Sequence, residues 1–279
     1  MQERAARQWL VVLAAVAVYV VSTSWFAVAA HRGLLSQLDD LGNVDQALWS
    51  ASRGDLSMTQ SNDVDERIKP RLAVHLNILY YALAPLYLIA PNPEILLVLA
   101  SFGCGLAALG LFAYARLRHG DSWWTVAAPL AFLANPMVHD ANLYDFKIVT
   151  LATAALVWSL WAFDSGRTRL GIALAAFVLL AQEDIALLVL SLGLYLVLTK
   201  RRRVCLALMI GTALYLLIML ALVVPMINEG AGMVKIAGEG RRVGWLRDAG
   251  LMVILQNFFS PDRLRLPLYL LLLGGAAAL

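Results

Sequence analysis

The chain is a succession of apolar runs, each about 14 to 24 residues long, separated by short charged segments. The runs at 9–30 and 204–224 are longer than the roughly 20 apolar residues that cross the hydrocarbon core of a bilayer. Of the 279 residues, 61% are hydrophobic, whereas soluble domains are about 45–50% apolar. Segments of about ten residues with alternating hydrophobicity, typical of transmembrane β-barrels, are absent from the sequence. The pattern therefore predicts an all-α fold, a polytopic helical membrane protein.

We expect one span in each strong apolar run. The predicted spans are 9–30, 94–115, 122–138, 147–163, 170–182, 185–199 and 204–225. Residues 1–225 would form a transmembrane module of seven spans. Residues 226–279 would form an external loop and the start of a further span, so that the chain is expected to be truncated at Leu279. The alternative for the first run is a cleaved signal peptide, but the run is longer than a signal core of about 7–15 residues.

Basic residues set the orientation of the spans. Lys and Arg in short loops stay on the cytoplasmic side, so the basic segment 200–203 is expected there. Counting back one span at a time places Arg116 and Arg118 inside and Glu183 and Asp184 outside. The N-terminus is then cytoplasmic, and the protein is expected in the plasma (inner) membrane.

The first external loop, 31–93, contains a weaker apolar run at 72–90. Both ends of this run are expected outside, so it cannot be a simple span. Pro85, Asn77 and His75 suit the membrane surface better than the hydrocarbon core. We therefore predict a re-entrant or interfacial helix at about 72–90.

Acidic residues gather in the predicted external segments. Asp40 and Asp45 follow the first span, Asp145 lies between aromatic residues at a membrane edge, and Glu183 and Asp184 occupy a very short connection. Carboxylates held close together call for a cation, a proton or a catalytic reason, and charges near the membrane plane are candidates for function. The alternatives are a capped surface helix, an aromatic belt with a solvated Asp–Lys pair, and a plain helical turn.

Basic residues precede the weaker run. Lys69, Arg71 and His75 could bind the phosphate of a lipid-linked substrate, or could simply anchor the segment at the interface. No phosphate-binding glycine loop, nucleophile elbow or zinc-ligand spacing is present, and we expect no nucleic-acid partner.

These motifs resemble a family of bacterial and archaeal membrane proteins called domain of unknown function 2079. The resemblance covers about residues 38–225. The matching stretches are Asp40-Leu41-Gly42, Asp45-Gln46-Ala47-Leu48-Trp49, His75 with Leu83-Ala84-Pro85-Leu86-Tyr87, Asn142 with Tyr144-Asp145-Phe146, and Glu183-Asp184.

The sequence also departs from the family pattern. An aromatic residue and then His-Pro-Glu usually follow the second aspartate, where this chain has Lys147-Ile148-Val149. Gln182 replaces the usual lysine before the Glu-Asp pair. If the missing residues bind metal or substrate, this chain has altered or lost activity.

The family in turn is similar to glycosyltransferases of the C-type fold, which carry surface helices and an aspartate in the first external loop. This likeness implies transfer of a sugar from a polyprenyl-phosphate carrier to an acceptor. It is an analogy of fold and does not show activity.

Under this hypothesis each polar residue has an expected role. Asp40 would be the general base. Asp145, with Asp45 and Glu183, would position the acceptor or a divalent metal, Mg²⁺ or Mn²⁺, for which Asp40 and Asp145 are the candidate ligands. The expected substrate-binding residues are Asp45, Lys69, Arg71, His75, Asn142, Glu183 and Asp184.

Two other functions remain open. A transporter or flippase would use Glu183 and Asp184 as an intramembrane proton or ion site. A non-catalytic assembly protein would need neither Asp40 nor Asp145. In each case the lipid bilayer is a partner.

Overall fold

The computed structural model describes residues 2–36, 38–60, 69–199 and 202–227. Nearly all of the expected loop at 226–265 and the last apolar run lie outside these residues. The described part is almost entirely helical, with one pair of two-residue strands in the first loop, where Thr59 pairs with Pro70 and Gln60 with Lys69. The all-helical class predicted from the apolar runs is confirmed.

The helices follow the apolar runs. In chain order they are α1 (Gln2–Arg32), α2 (Asn43–Ser52), α3 (Arg71–Val74), α4 (Tyr80–Leu83), α5 (Leu86–Ile89), α6 (Glu94–His119), α7 (Trp124–Leu133), α8 (Pro136–Leu143), α9 (Val149–Asp164), α10 (Thr168–Leu179), α11 (Ala186–Thr199), α12 (Arg202–Ile218) and α13 (Val224–Ile227). The strands β1 (Thr59–Gln60) and β2 (Lys69–Pro70) lie between α2 and α3, and π-helical turns precede α2 and α13 at Leu38–Gly42 and Met219–Val223.

Three described helical stretches are long and apolar enough to cross a bilayer: Glu3–Arg32, Glu94–His119 and Leu206–Val223. Other apolar helices have 10–17 residues. A ten-residue helix such as α7 is only about 15 Å long, half the thickness of the hydrocarbon core. Several apolar helices fit a multi-pass protein, and the count of seven spans stays a prediction.

The predicted span at 122–138 is not one continuous helix. Helix α7 ends at Leu133, and α8 begins at Pro136. The side-chain Oδ1 of Asn135 accepts a hydrogen bond from the backbone nitrogen of Met137 at 2.9 Å. This N-cap and a proline at the first helical position start a new helix, although the sequence stays apolar up to Val138.

Helix α6 is the centre of the described bundle and packs against α1, α7 and α9. Glycines allow this close approach. A Cβ at Gly103 would lie 3.1 Å from the backbone carbonyl carbon of Thr150 in α9, and one at Gly105 would lie 2.8 Å from Val20 of α1. Small residues at helix interfaces let backbones approach in this way in membrane proteins.

Polar contacts define two ends of the bundle. At one end, which we call the loop end, Arg32 Nε donates to Glu94 Oε1 at 2.8 Å, joining the end of α1 to the start of α6. At the opposite end, Asp164 accepts hydrogen bonds from Tyr114 and Tyr195, both at 3.2 Å. The segment between α1 and α6 thus begins and ends at the loop end.

The weaker run at 72–90 lies within this segment and forms three helices of four residues each, α3, α4 and α5. His75 adopts an extended backbone conformation after α3, and Pro85 stands immediately before α5. Proline lacks a backbone donor and disfavours a continuous helix through this point. A re-entrant or interfacial placement of the segment stays a prediction.

Gly103→Ala should destabilise the bundle by about 1–3 kcal/mol, because the new methyl group overpacks the contact with the α9 backbone. Gly211→Ala is the matched control, since nothing lies within 4 Å of a Cβ at Gly211. That change should be neutral or stabilising by up to about 1 kcal/mol, the helix-propensity gain. Unfolding midpoints of the two variants in mild detergent check this, and equal midpoints would contradict the close α6–α9 contact.

Candidate functional site at the loop end

The first loop is fastened to the α10–α11 connection by a set of hydrogen bonds that we call the clasp, between residues 75–79 and 180–183. His75 Nδ1 lies 3.0 Å from Glu183 Oε1, and the backbone nitrogen of Leu76 donates to Glu183 Oε2 at 2.9 Å. Asn77 Nδ2 donates to the carbonyl of Ala181 at 2.6 Å. The backbone nitrogen of Leu79 donates to the carbonyl of Leu180 at 2.8 Å.

The clasp binds the charged form of Glu183. Burial opposes ionisation of this carboxyl group, but the hydrogen bond and charge of His75 and the backbone donor of Leu76 outweigh it. The pKa of Glu183 is therefore held below its ordinary value. Both carboxylate oxygens of Glu183 have protein partners, so its contacts are those of a residue that fixes the loop.

Arg71 lies inside the loop beneath the clasp. Its Nε donates to Asn77 Oδ1 at 2.8 Å, and its guanidinium carbon lies 5.4 Å from the centre of the Tyr80 ring. The side chains of Arg71, Asn77 and Tyr80 are all buried. Asn77 therefore bridges Arg71 to Ala181, and the buried guanidinium is positioned by Asn77 and Tyr80 of the loop.

Asp40 and Lys147 come together at the surface beside this core. Asp40 is in the π-helical turn after α1, and Lys147 is in the α8–α9 connection. Lys147 Nζ lies 4.0 Å from Asp40 Oδ2, with side chains 47% and 38% exposed respectively. Burial is the largest cause of the raised pKa of Tyr80, and the charge of Asp40 adds to it, which places Asp40 near the buried ring.

Asp145 is buried, with only 3% of its surface exposed, which does not fit the alternative of a solvated Asp–Lys pair. The next residue, Phe146, packs against Tyr80 with 6.3 Å between ring centres. Asn142 is also buried, and its Nδ2 donates to Ser101 Oγ at 3.0 Å. This part of the predicted site is packed into the bundle.

The remaining predicted site residues have separate places. Asp45 Oδ1 accepts from the hydroxyl of Tyr87 at 2.8 Å; burial first, and then Asp45, raises the pKa of Tyr87. Asp184 is exposed, and its Oδ2 accepts from Gln182 at 3.1 Å. The backbone of Lys69 belongs to β2, and the structure does not describe the side chain of this residue.

Sequence reasoning missed the part played by Lys147. It was noted as a departure from the family pattern and as part of a solvated pair with Asp145, whereas the structure puts it beside Asp40. The two residues are 107 positions apart in the sequence. The lysine at the position where the family pattern has histidine was the available signal.

The donor set does not fit a metal site made of protein ligands. Among the described residues, no group of three or more His, Cys, Asp and Glu side chains is placed to hold a metal ion. Asp40 faces an ammonium group and Glu183 faces an imidazole. Each of these two carboxylates therefore already has a protein side chain beside it.

A cavity of about 240 Å³ lies elsewhere in the first loop, between the end of α2 and the segment 81–88. The predicted site residues do not line it. The predicted acidic site residues therefore do not meet around this cavity.

The membrane-length apolar helices and the acid-rich loop at one end of the bundle define a helical, multi-pass membrane protein. The chain belongs to the family described as predicted membrane protein (DUF2079), whose model matches residues 30–277. The family predicted from the sequence motifs is confirmed. Comparison with curated proteins and with solved structures gives no match.

Glu183→Gln should cost about 2 kcal/mol at neutral pH, since hydrogen bonds to a charged group contribute about 1.5–3 kcal/mol. A lowered folded-state pKa stabilises the protein above the ordinary value of 4.5, and this stability is lost as pH falls through the folded-state pKa. The difference in unfolding free energy between wild type and variant should therefore become smaller below about pH 4.5. Unfolding experiments at several pH values measure this difference.

Asp184→Asn is the matched control, because Asp184 is the adjacent acid and is exposed. It should change stability by less than about 0.5 kcal/mol at any of these pH values. If the loss of unfolding free energy in Glu183→Gln did not depend on pH, a charged Glu183 in the clasp would be ruled out.

Proposed function

We propose that the chain is a membrane glycosyltransferase that moves a sugar from a lipid-phosphate carrier to an acceptor at the extracytoplasmic face. The observation that carries the proposal is the pair of accessible, oppositely charged groups, Asp40 and Lys147, 4.0 Å apart at the loop end. A transfer of this kind needs a base for the acceptor and a cation for the departing phosphate. The pair supplies both next to the membrane-spanning helices.

In the proposed reaction, the acceptor hydroxyl oxygen attacks the anomeric carbon of the sugar, and the bond from that carbon to the carrier phosphate oxygen breaks. The hydroxyl proton passes to the carboxylate of Asp40. The carrier leaves as a lipid phosphate, whose growing negative charge the ammonium of Lys147 stabilises. No step requires a metal.

The clasp would support this reaction from a distance. Arg71, His75 and Glu183 were predicted to contact substrate, but their described partners are protein groups. Arg71 still places a buried positive charge behind Tyr80. In the proposal these residues position the loop that carries Asp40, and Asp40 and Lys147 contact the substrates.

The orientation is part of the proposal. The basic segments Arg116–Arg118 and 200–203 would face the cytoplasm with the N-terminus, and the loop end would face outward from the plasma membrane. The Arg32–Glu94 contact supports one part of it, the placement of both ends of the first loop on the same side of the membrane.

The second candidate function is a transporter or flippase. The His75–Glu183 pair favours it, since the two side chains are only 18% and 12% exposed and both can exchange protons. Solute movement that follows a pH gradient and disappears in Glu183→Gln would support transport. Sugar transfer by the purified protein would support the enzyme instead.

Asp40→Asn should reduce sugar transfer by about 10²–10⁴-fold, the usual contribution of a positioned general base. Expression and membrane insertion should stay normal, because an exposed loop carboxylate contributes little to stability. The assay is transfer from a polyprenyl-phosphate sugar by purified protein in detergent or vesicles.

Asp39→Asn is the matched control, because Asp39 is the adjacent acid in the same turn. It should reduce sugar transfer much less, because the proposal assigns no proton transfer to Asp39. Equal transfer by wild type and both variants would exclude Asp40 as the base. Absence of transfer by wild type with every polyprenyl-phosphate sugar would favour a non-catalytic member of the family.

A further inference from the structure

The cavity in the first loop is an open, mainly apolar groove. Its floor and walls are Ala51, Ser52 and Leu56 on one side and Tyr81, Pro85 and Leu88 on the other. At about 240 Å³ it is smaller than the roughly 300–1,000 Å³ of sites that enclose a drug-sized ligand. It fits part of a long apolar chain better than a whole ligand.

The groove continues into exposed apolar surface. Leu56 and Leu88 on its walls are 70% and 69% exposed, and Ile89 beside Leu88 is 85% exposed. A soluble surface seldom leaves several large apolar side chains together in water. These side chains therefore require an apolar partner.

The position of the groove identifies that partner. Leu88 and Ile89 come five to six residues before Glu94, which is paired to Arg32 at the ends of two membrane-length helices. Leu34 and Leu35, just after Arg32, are also highly exposed. The exposed apolar residues are thus close in sequence to the two helix ends that the Arg32–Glu94 contact joins, where we expect the boundary of the bilayer.

The rim of the groove carries a cation. The guanidinium of Arg53 lies 3.9 Å from the centre of the Trp49 ring, and its Nη1 is 3.4 Å from Ser52 Oγ. Aromatic and basic residues together are typical of the membrane interface. Asp55 is two residues further on; its carboxylate accepts hydrogen bonds from Ser57 and Thr59, which lower its pKa and keep it negatively charged.

We propose that the groove binds an acyl chain of a phospholipid in the leaflet at the loop end, with the lipid phosphate beside Arg53. The bound acyl chain covers Leu56 and Leu88. The negatively charged phosphate of the headgroup lies next to the positive charge of Arg53. The site is separate from Asp40 and Lys147 and does not depend on glycosyl transfer.

Photo-crosslinking tests the occupant. The full chain is reconstituted in phosphatidylethanolamine vesicles containing trace phosphatidylglycerol or phosphatidylcholine with a diazirine in one acyl chain. Cross-links are expected within 51–56 and 81–89, and more of them with phosphatidylglycerol. Cross-links confined to the membrane-length helices, or displacement of the probe by an equal trace of polyprenyl phosphate, would overturn the proposal.

Variants test the two parts of the site. Arg53→Gln should lower the preference for phosphatidylglycerol about fivefold, the equivalent of roughly 1 kcal/mol per basic residue near a membrane surface. Leu88→Gln should reduce groove cross-linking with both probes, and Gln46→Leu, on the exposed side of α2, should not. An unchanged lipid preference in Arg53→Gln or unchanged cross-linking in Leu88→Gln would contradict the site.

Discussion

The clasp between His75 and Glu183 is the interaction on which the loop end depends. Residues 71–90 form three helices of one turn each, too short to be stable alone. They keep their arrangement because Glu183, Ala181 and Leu180 of the α10–α11 connection satisfy donors of the loop. The loop is thereby tied to a part of the chain about 100 residues further on.

The fold could be predicted where the apolar pattern is local and strong. The strong apolar runs at 9–30 and 94–115 indicated helices, and α1 (Gln2–Arg32) and α6 (Glu94–His119) cover them. The bounds of the predicted span at 122–138 did not include the helix break after Leu133. The signal for that break is only an asparagine cap and a following proline within a mainly apolar run. The apolar pattern thus predicts that a helix is present more reliably than it predicts the residue at which the helix ends.

The candidate site could be predicted only in part. The sequence singled out His75 and Glu183 individually, since charged residues beside apolar runs attract attention, but it could not pair residues 108 positions apart. The same limit hid the contact between Lys147 and Asp40. The burial of Asp145 was also hidden, because packing of the next residue, Phe146, against Tyr80 is a tertiary contact that no local pattern reveals.

A double-mutant cycle on His75→Gln and Glu183→Gln tests the central claim most directly. Unfolding free energies of the wild type, both single variants and the double variant in the same detergent give the coupling between the two positions. Residues in direct hydrogen-bonded contact show coupling of about 0.5–3 kcal/mol, and we predict a value above about 1 kcal/mol. Effects that add to within about 0.3 kcal/mol would mean that His75 and Glu183 do not interact and that the clasp does not hold the loop.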